Sequence, residues 1–296
     1  MDRRRGIEAE DGTMIRVDAH HHVWRLDRGD YGWLRPSAAL QAIYRDFDLD
    51  ELRPQLRRAG IDASVLVQAA PTVQETQFLL EVARQNSDVV RGVVGWADLA
   101  ATDAPDVLAR MASNAMLKSV RPMLQDEPDA RWILRPEVQR ALAAMPGLGL
   151  RFDALVKSQH LQPLLRVLDQ RPDLAVIVDH CAKPGVAHGE WQPWADDLAA
   201  IARHPTACCK LSGLVTEAGA NWSVPLLRRY VDHVLDCFGS ERVIWGSDWP
   251  VVTLAASYAR WNEATDELLA GLSPEARTAV RGENAIRSYG LDARAQ

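Results

Sequence analysis

Short apolar runs of strand length alternate with longer amphipathic stretches along this chain, and the alternation repeats eight times. The runs are rich in Val, Ile and Leu with little polar alternation, which is typical of parallel strands buried on both faces. We predict strands over residues 15–19, 63–68, 90–96, 117–121, 149–152, 175–179, 207–211 and 243–246. Eight strand–helix units without a break in composition predict one closed (β/α)₈ TIM barrel.

The amphipathic stretches between these strands show recognisable helix ends. Residues 49–59 place three leucines on one face, with Asp48 or Asp50 available to cap the start and Gly60 to end the helix. Further helices are expected over residues 159–170, 224–238 and 258–269 and from Pro274 onward. The main alternative, an open doubly wound sheet, normally has a glycine-rich phosphate loop after its first strand, where this chain has histidines.

The chain has 296 residues, which suits a single α/β barrel. We expect residues 1–13 to form a disordered polar tail and residues 14–296 a single catalytic domain, since no apolar secretory segment follows Arg3–Arg5. The net charge of −6 and the absence of a basic run argue against nucleic acid or an anionic membrane as partner. No apolar run in the sequence is long enough to span a bilayer.

The cysteines bear on the cellular compartment and on metal binding. Four are present, at Cys181, Cys208, Cys209 and Cys237, and none forms a C-x-x-C pair. We therefore expect reduced, partly buried thiols in a cytoplasmic protein and no zinc–thiolate site. The oligomeric state is left open by the sequence.

Ionisable residues follow the first, sixth and eighth predicted strands. His20 and His22 are two residues apart, so they share one face of an extended strand and can hold one cation, whereas His21 faces away. Strand 6 leads into His180 and strand 8 into Asp248. A hydrogen-bonded core pair is the alternative for His20 and His22 alone. Three strands that each deliver His or Asp at the same end favour an active site at the carboxyl end of the barrel.

Asp248 is the predicted general base, because an ionised carboxylate can take a proton from water. His180 or a bound cation would polarise the carbonyl under attack.

Substrate-binding residues are predicted at the same end of the barrel. Arg121 closes strand 4 and Lys183 follows strand 6, and each would grip a carboxylate or a ring oxygen, with an ion pair within the protein as the alternative. Asp153 would bind a substrate hydroxyl. Trp24 and Trp249 would stack on a sugar or lactone ring, with loop packing as the alternative.

Several motifs together resemble the amidohydrolase superfamily, in its branch of L-fuconolactonase-like and dicarboxylate-lactone hydrolases. They are VDAHHHVW with RGDYGWL, LKSVRPMLQDEPDARWIL, VIVDHCAKP, KLSGL, RVIWGSDWPV and ENAIRSYGL, and they extend over residues 15–291. The resemblance implies a (β/α)₈ barrel that hydrolyses the C–O bond of a lactone. His20 and His22 match the strand 1 pair of that family, His180 its strand 6 histidine and Asp248 its strand 8 aspartate.

One departure from the wider superfamily limits the metal content that the resemblance implies. Strand 5 ends at Asp153 without a histidine, and strand 4 offers no bridging Lys or Glu. The predicted metal ligands, His20, His22, His180 and Asp248, therefore suffice for at most one divalent cation, Zn²⁺ or Mn²⁺. Catalysis without metal is the alternative, as for some relatives in this branch.

The predicted function is hydrolysis of a sugar-derived or carboxylated lactone by water that Asp248 activates. A metal-dependent decarboxylase of the same superfamily and a non-catalytic barrel binding protein are the alternatives. The predicted partner is a small-molecule lactone. Arg121 is the cation most clearly aimed at the site, with Lys183 and Arg151 also expected near the mouth, so we expect the lactone to be neutral or singly charged.

Overall fold

A computed structural model describes residues 15–292, and within them eight parallel strands form one sheet in chain order. The strands are β1 Val17–His21, β2 Ala63–Val67, β3 Val90–Gly95, β4 Leu117–Val120, β5 Arg151–Ala154, β6 Val176–Val178, β7 Ala207–Leu211 and β8 Val243–Trp245. β8 returns to β1 through a parallel bridge between His21 and Trp249. The predicted (β/α)₈ barrel is confirmed.

Helices follow the strands and surround the sheet. They are α1 Leu49–Ala59, α2 Val73–Gln85, α3 Ala104–Ala112, α4 Pro136–Ala144, α5 Ser158–Gln170, α6 Trp194–Ala202, α7 Leu214–Ala218, α8 Val224–Phe238, α9 Tyr258–Leu268, α10 Pro274–Thr278 and α11 Asn284–Tyr289. None of the helices within residues 15–292 is long and apolar enough to cross a membrane. The predicted tail at residues 1–13 lies outside the described residues, and the single-domain assignment stays a prediction.

Helix α1 illustrates how local sequence sets an element boundary. The Asp48 side chain accepts hydrogen bonds from backbone N–H groups of the first turn, and Gly60 ends the helix at a left-handed φ of 63°. Its buried face consists of Leu49, Leu52 and Leu56. The bounds and the apolar face predicted for this helix are confirmed, because the aspartate cap and the glycine stop are both local effects.

Strand β5 begins later than predicted, and this moves Arg151 away from the mouth. Gly149 takes a left-handed φ of 70°, so the extended strand starts only at Arg151. The Arg151 guanidinium donates to the backbone carbonyls of Ser288 and Gly149. Since Arg151 begins the strand, it lies at the amino end of the barrel, and its expected position near the mouth is wrong.

Candidate active site

Four of the predicted residues meet at the carboxyl end of the barrel. The Nε2 atoms of His22, His20 and His180 lie 3.4, 3.8 and 4.0 Å from Oδ1 of Asp248. All four side chains are nearly or fully buried, with Asp248 and His22 each 4 % exposed. One carboxylate oxygen thus faces three imidazole nitrogens, in surroundings that are largely closed to solvent.

The backbone that delivers these groups is unusual. Asp248 has a φ of 59°, and the four consecutive residues His180–Lys183 all have φ between 48° and 59°. Left-handed conformations at non-glycine residues cost about 1–3 kcal/mol each and are concentrated at functional sites. Here they turn the chain sharply after β6 and β8, so that the side chains point back over the barrel mouth.

Two glycines make room for the histidines. A Cβ atom on Gly213 would lie 2.7 Å from Nδ1 of His180, and one on Gly246 would lie 2.6 Å from Cβ of His20. Real Cβ atoms essentially never approach other atoms this closely. Both positions therefore require glycine for the imidazoles to pack as they do.

The imidazoles of His22 and His180 are each oriented by a hydrogen bond at Nδ1. Nδ1 of His22 lies 2.8 Å from the carbonyl of Val67, and a carbonyl only accepts, so this nitrogen carries the proton. Nε2 of His22 then faces Oδ1 of Asp248. Nδ1 of His180 lies 2.9 Å from the Ser212 hydroxyl, which can either donate or accept.

The charges at the site follow from burial and from these neighbours. Burial opposes ionisation of Asp248, but His180, His22 and Lys183 together hold its pKa below the ordinary value of 3.8. Burial lowers the pKa of His180 to about 4, and burial with Lys210 lowers the pKa of His20 well below 6.5. At neutral pH Asp248 is therefore a carboxylate beside the neutral imidazoles of His20 and His180, and it can accept a proton.

The same atoms fit a divalent cation. Nε2 of a neutral His22 and the carboxylate of Asp248 can each donate a lone pair to a cation, and the buried His20 Nε2 has no hydrogen-bond partner among the described residues. His20 can bind through Nε2 in the tautomer that has its proton on Nδ1, which lies 3.6 Å from Asp179; in the other tautomer Nδ1 accepts from Lys210. Tetrahedral zinc, with ligands at 2.0–2.1 Å, sets neighbouring ligand atoms about 3.3–3.4 Å apart. His20, His22 and Asp248 form a group whose ligand atoms lie within 4.8 Å of one another.

A buried ion network lies directly behind His20. Nζ of Lys210, on β7, lies 2.6 Å from Asp153, 3.1 Å from Asp179 and 3.1 Å from Nδ1 of His20. All four side chains are 0 % exposed. Burial raises the pKa of Asp153, whereas Lys210, His20 and Arg121 together outweigh burial and hold that of Asp179 well below its ordinary value. The Lys210 ammonium thus compensates charge that would otherwise be costly inside the barrel.

Asp153 does not lie at the mouth, so its predicted contact with a substrate hydroxyl is corrected. Its carboxylate accepts hydrogen bonds from Lys210, from the Ser119 hydroxyl at 2.6 Å and from the Tyr289 hydroxyl at 2.7 Å. These partners come from inside the barrel and from its last helix. A fully buried carboxylate with three internal donors has no free face for substrate.

Trp24 and Trp249 are also placed differently from the stacking role predicted for them. Trp24 is 0 % and Trp249 2 % exposed, and both rings pack edge-on against Phe47, at 5.4 and 5.3 Å between centroids. The Trp24 N–H donates to the carbonyl of Arg45. Loop packing, the alternative considered for these residues, describes their surroundings, since no ring face is open to a ligand.

Arg121 and Lys183 both lie near the catalytic cluster, and both have internal partners. Arg121 is 3 % exposed, and it donates to Asp179 at 3.2 Å and to the carbonyl of Gln68. Lys183 is partly exposed, and its Nζ lies 3.6 Å from Oε1 of Glu217. Arg121 therefore forms an ion pair inside the barrel, while Lys183 is the more accessible cation, and their contact with substrate stays a prediction.

Lys210, Asp179 and Glu217 were not singled out from the sequence. Lys210 interrupts the buried strand run ACCKL, and an ionisable residue inside such a strand needs an internal partner. That feature could have marked it as part of a buried network. The partners could not have been named, because Asp153 lies on a strand that is not adjacent to β7.

Comparison with known proteins shows which protein family this chain matches. The model of a family described as Amidohydrolase matches residues 17–291. The chain belongs to this family. It is 43 % identical over 285 residues to the L-fucono-1,5-lactonase of Burkholderia ambifaria, covering 94 % of this chain and 96 % of that protein. It is 34 % identical to the L-fucono-1,5-lactonase of Burkholderia multivorans, with the same coverage. The resemblance inferred from the motifs is confirmed.

A solved structure agrees with this assignment. The crystal structure of an amidohydrolase from Burkholderia multivorans with bound zinc has a TM-score of 0.88 and 34 % identity to this chain. The match covers 94 % of this chain and 100 % of that one.

Proposed function

We propose that this chain is a lactonase that hydrolyses the ring ester of a sugar-derived lactone. The observation that carries the proposal is the ionised, buried Asp248 carboxylate, which three imidazole Nε2 atoms surround within 4.0 Å. The family and the named activity of the two lactonase relatives support the same reaction class.

Asp248 acts as the general base. A water molecule gives its proton to the Asp248 carboxylate while its oxygen bonds to the lactone carbonyl carbon, and the C=O electron pair moves onto the carbonyl oxygen. When this tetrahedral intermediate collapses, the bond between the carbon and the ring oxygen breaks. Protonated Asp248 returns the proton to that leaving oxygen, and the product is an open-chain hydroxy acid.

His180 stabilises the developing oxyanion. When the Ser212 hydroxyl donates to Nδ1, the neutral imidazole carries its proton on Nε2, which faces the same space as Asp248. A donor fixed at this position in a buried site needs little reorganisation as charge builds up on the carbonyl oxygen.

His20, His22 and Asp248 are the residues that would hold a divalent cation, with His180 as a fourth ligand when its Nδ1 donates to Ser212. Such a cation would supply a Lewis acid that polarises the carbonyl. We propose one cation per chain, with Zn²⁺ or Mn²⁺ as the ion.

A panel of neutral and acidic lactones with a pH indicator tests the proposal, because each ring opening releases acid. Asp248→Asn should retain its melting temperature and lose turnover about 10²–10⁴-fold, since an amide cannot take up the proton. Asp169→Asn is the matched control, because Asp169 is exposed on α5 beside His204 and should leave turnover unchanged.

The alternatives predict other outcomes. Release of CO₂ from aromatic carboxylic acids without lactone turnover would indicate a decarboxylase. Binding of lactones with no turnover, equal in wild type and Asp248→Asn, would indicate a non-catalytic binding protein. Either result would overturn the proposed lactonase.

A further inference from the structure

A groove lies on the barrel rim beside the ends of β2, β3 and β4. Its cavity volume of about 480 Å³ is within the roughly 300–1,000 Å³ typical of small-molecule sites. Its lining, which also includes proline, leucine and methionine side chains, contains three indoles and three carboxylates. They are Trp33, Trp96, Trp132, Asp98, Asp126 and Glu127.

The groove lies at the same end of the barrel as the catalytic cluster. Trp33 packs edge-on against Trp24 at 5.7 Å between ring centroids, and Trp24 in turn lies 6.3 Å from the ring of His22. The Trp33 N–H donates to the carbonyl of Ala69, just beyond β2. Pro122, which lines the groove, directly follows Arg121, and the Arg121 guanidinium donates to Asp179, the residue before His180. The groove therefore borders the catalytic cluster.

The charge in the groove is negative. Asp126 and Glu127 form no ion pair within residues 15–292, and no Lys, Arg or His of that part of the chain lines the groove. Arg121 directly precedes the loop that contributes Asp126, but its guanidinium is already bonded to Asp179 and Gln68. An anionic substituent would thus face carboxylates and would find no cation in the groove to pair with.

The indoles supply apolar surface and hydrogen-bond donors. Trp132 is 8 % exposed, and neither its N–H nor that of Trp96 donates to another described residue. An indole N–H only donates and a carboxylate only accepts. The groove therefore offers a hydroxyl group both a hydrogen-bond donor and a hydrogen-bond acceptor. The ring faces suit the C–H surface of a sugar.

We infer that this groove, defined by Trp33, Trp96, Trp132, Asp98, Asp126 and Glu127, is a specificity subsite that binds an uncharged polyhydroxylated group of the lactone and rejects an acidic one. The inference rests on the proposed lactonase activity for its substrate. In this subsite Asp126 and Glu127 repel an acidic group, and the Trp96 ring stacks on the uncharged sugar group.

Calorimetry with sugar lactams tests the subsite without turnover, because a lactam lacks the labile ester. The probes are a neutral 1,5-lactam and its counterpart in which the terminal CH₂OH is a carboxylate. Wild type should bind the neutral lactam at least tenfold more tightly. The double variant Asp126→Asn/Glu127→Gln should reduce that preference at least fivefold, mainly through tighter binding of the acidic lactam.

Trp96→Ala should weaken binding of the neutral lactam about tenfold, and Trp96→Phe should restore most of it, since a phenyl ring also stacks. Glu81→Gln, a change to an exposed carboxylate paired with Arg84 on α2, is the control and should change neither affinity. Kinetics with the matching pair of lactones should show the same ratios in KM and little change in kcat.

The outcomes separate the two proposals. Wild type that binds the neutral lactam with these preferences but hydrolyses no lactone would refute the lactonase and leave the subsite standing. Wild type that hydrolyses lactones but binds both lactams equally, or whose preference is unchanged in the double variant, would overturn the subsite. A preference of wild type for the acidic lactam would overturn it as well.

Discussion

Replacing Lys210 by Met gives the sharpest test of how this barrel tolerates its buried charges. The Lys210 ammonium lies 2.6 Å from Asp153 and 3.1 Å from Asp179, and all three groups are 0 % exposed. Met keeps the length and apolar volume of the side chain but removes the charge. Two carboxylates then lose their shared partner, although Asp179 retains Arg121 at 3.2 Å.

The magnitude follows from burial. Removing one partner of a buried ion pair costs about 3–5 kcal/mol, because the remaining charge stays desolvated. At about 2–4 °C per kcal/mol for a large domain, Lys210→Met should lower the melting temperature by roughly 6–20 °C. Lys118→Met is the control: Lys118 is only half-buried and donates to the carbonyl of Gly290, so its loss should cost under about 1 kcal/mol.

The pH dependence of this effect has a definite sign. Burial already raises the pKa of Asp153, and loss of the ammonium raises it further, so the folded variant takes up a proton as pH falls. The melting-temperature difference between variant and wild type should therefore be larger at pH 8 than at pH 5. Adding Asp153→Asn to Lys210→Met should recover part of the loss, since the amide removes one uncompensated charge.

Thermal melts followed by circular dichroism at pH 5 and pH 8 compare wild type, Lys210→Met, Lys118→Met and the double variant Lys210→Met/Asp153→Asn. A loss below about 1 kcal/mol for Lys210→Met, or an equal loss at pH 5 and pH 8, would refute the view that these charges compensate each other.

Three further predictions concern metal content, activity and stability. Elemental analysis should find at most one Zn²⁺ or Mn²⁺ per chain, and His22→Ala should lower that content; two equivalents would contradict the ligand count. Because the pKa of Asp248 is depressed and that of His180 is about 4, kcat/KM should stay flat from pH 8 to pH 5 and fall only near pH 4, and an acidic limb near pH 6 would exclude this assignment. Burial raises the pKa of Glu75 from 4.5 to about 8, so folding stability falls as pH rises across that interval, and Glu75→Gln should flatten the slope measured by urea unfolding at pH 5 and pH 8.

The features predicted well from the sequence are those that local chemistry determines. The bounds of α1 follow from Asp48 and Gly60, and the barrel follows from eight apolar runs separated by helices. The meeting of His20, His180 and Asp248 could be predicted because parallel strands bring their carboxyl ends to one face.

The roles of individual side chains near that face were harder to predict. Asp153 and Trp24 both lie close to strand ends in the sequence. Strand register places Asp153 in the internal ion network, and loop packing places Trp24 in a cluster of aromatic rings. Lys210 has partners on β5 and beyond the end of β6, and no local pattern specifies a pairing across strands that are distant in the chain.

The Lys210 network also gives a physical reason for proposing one cation, and not two, at this site. A second group of ligand atoms exists, formed by His20, Asp179 and His180. A cation there would share Asp179 with an ammonium that already lies 3.1 Å from its Oδ1, and would share His20 with the same ammonium at Nδ1. Two positive charges at such distances in a buried site repel strongly. The ammonium therefore supplies the positive charge on that side of His20, and the one divalent cation that we propose would lie on the side that faces His22 and Asp248.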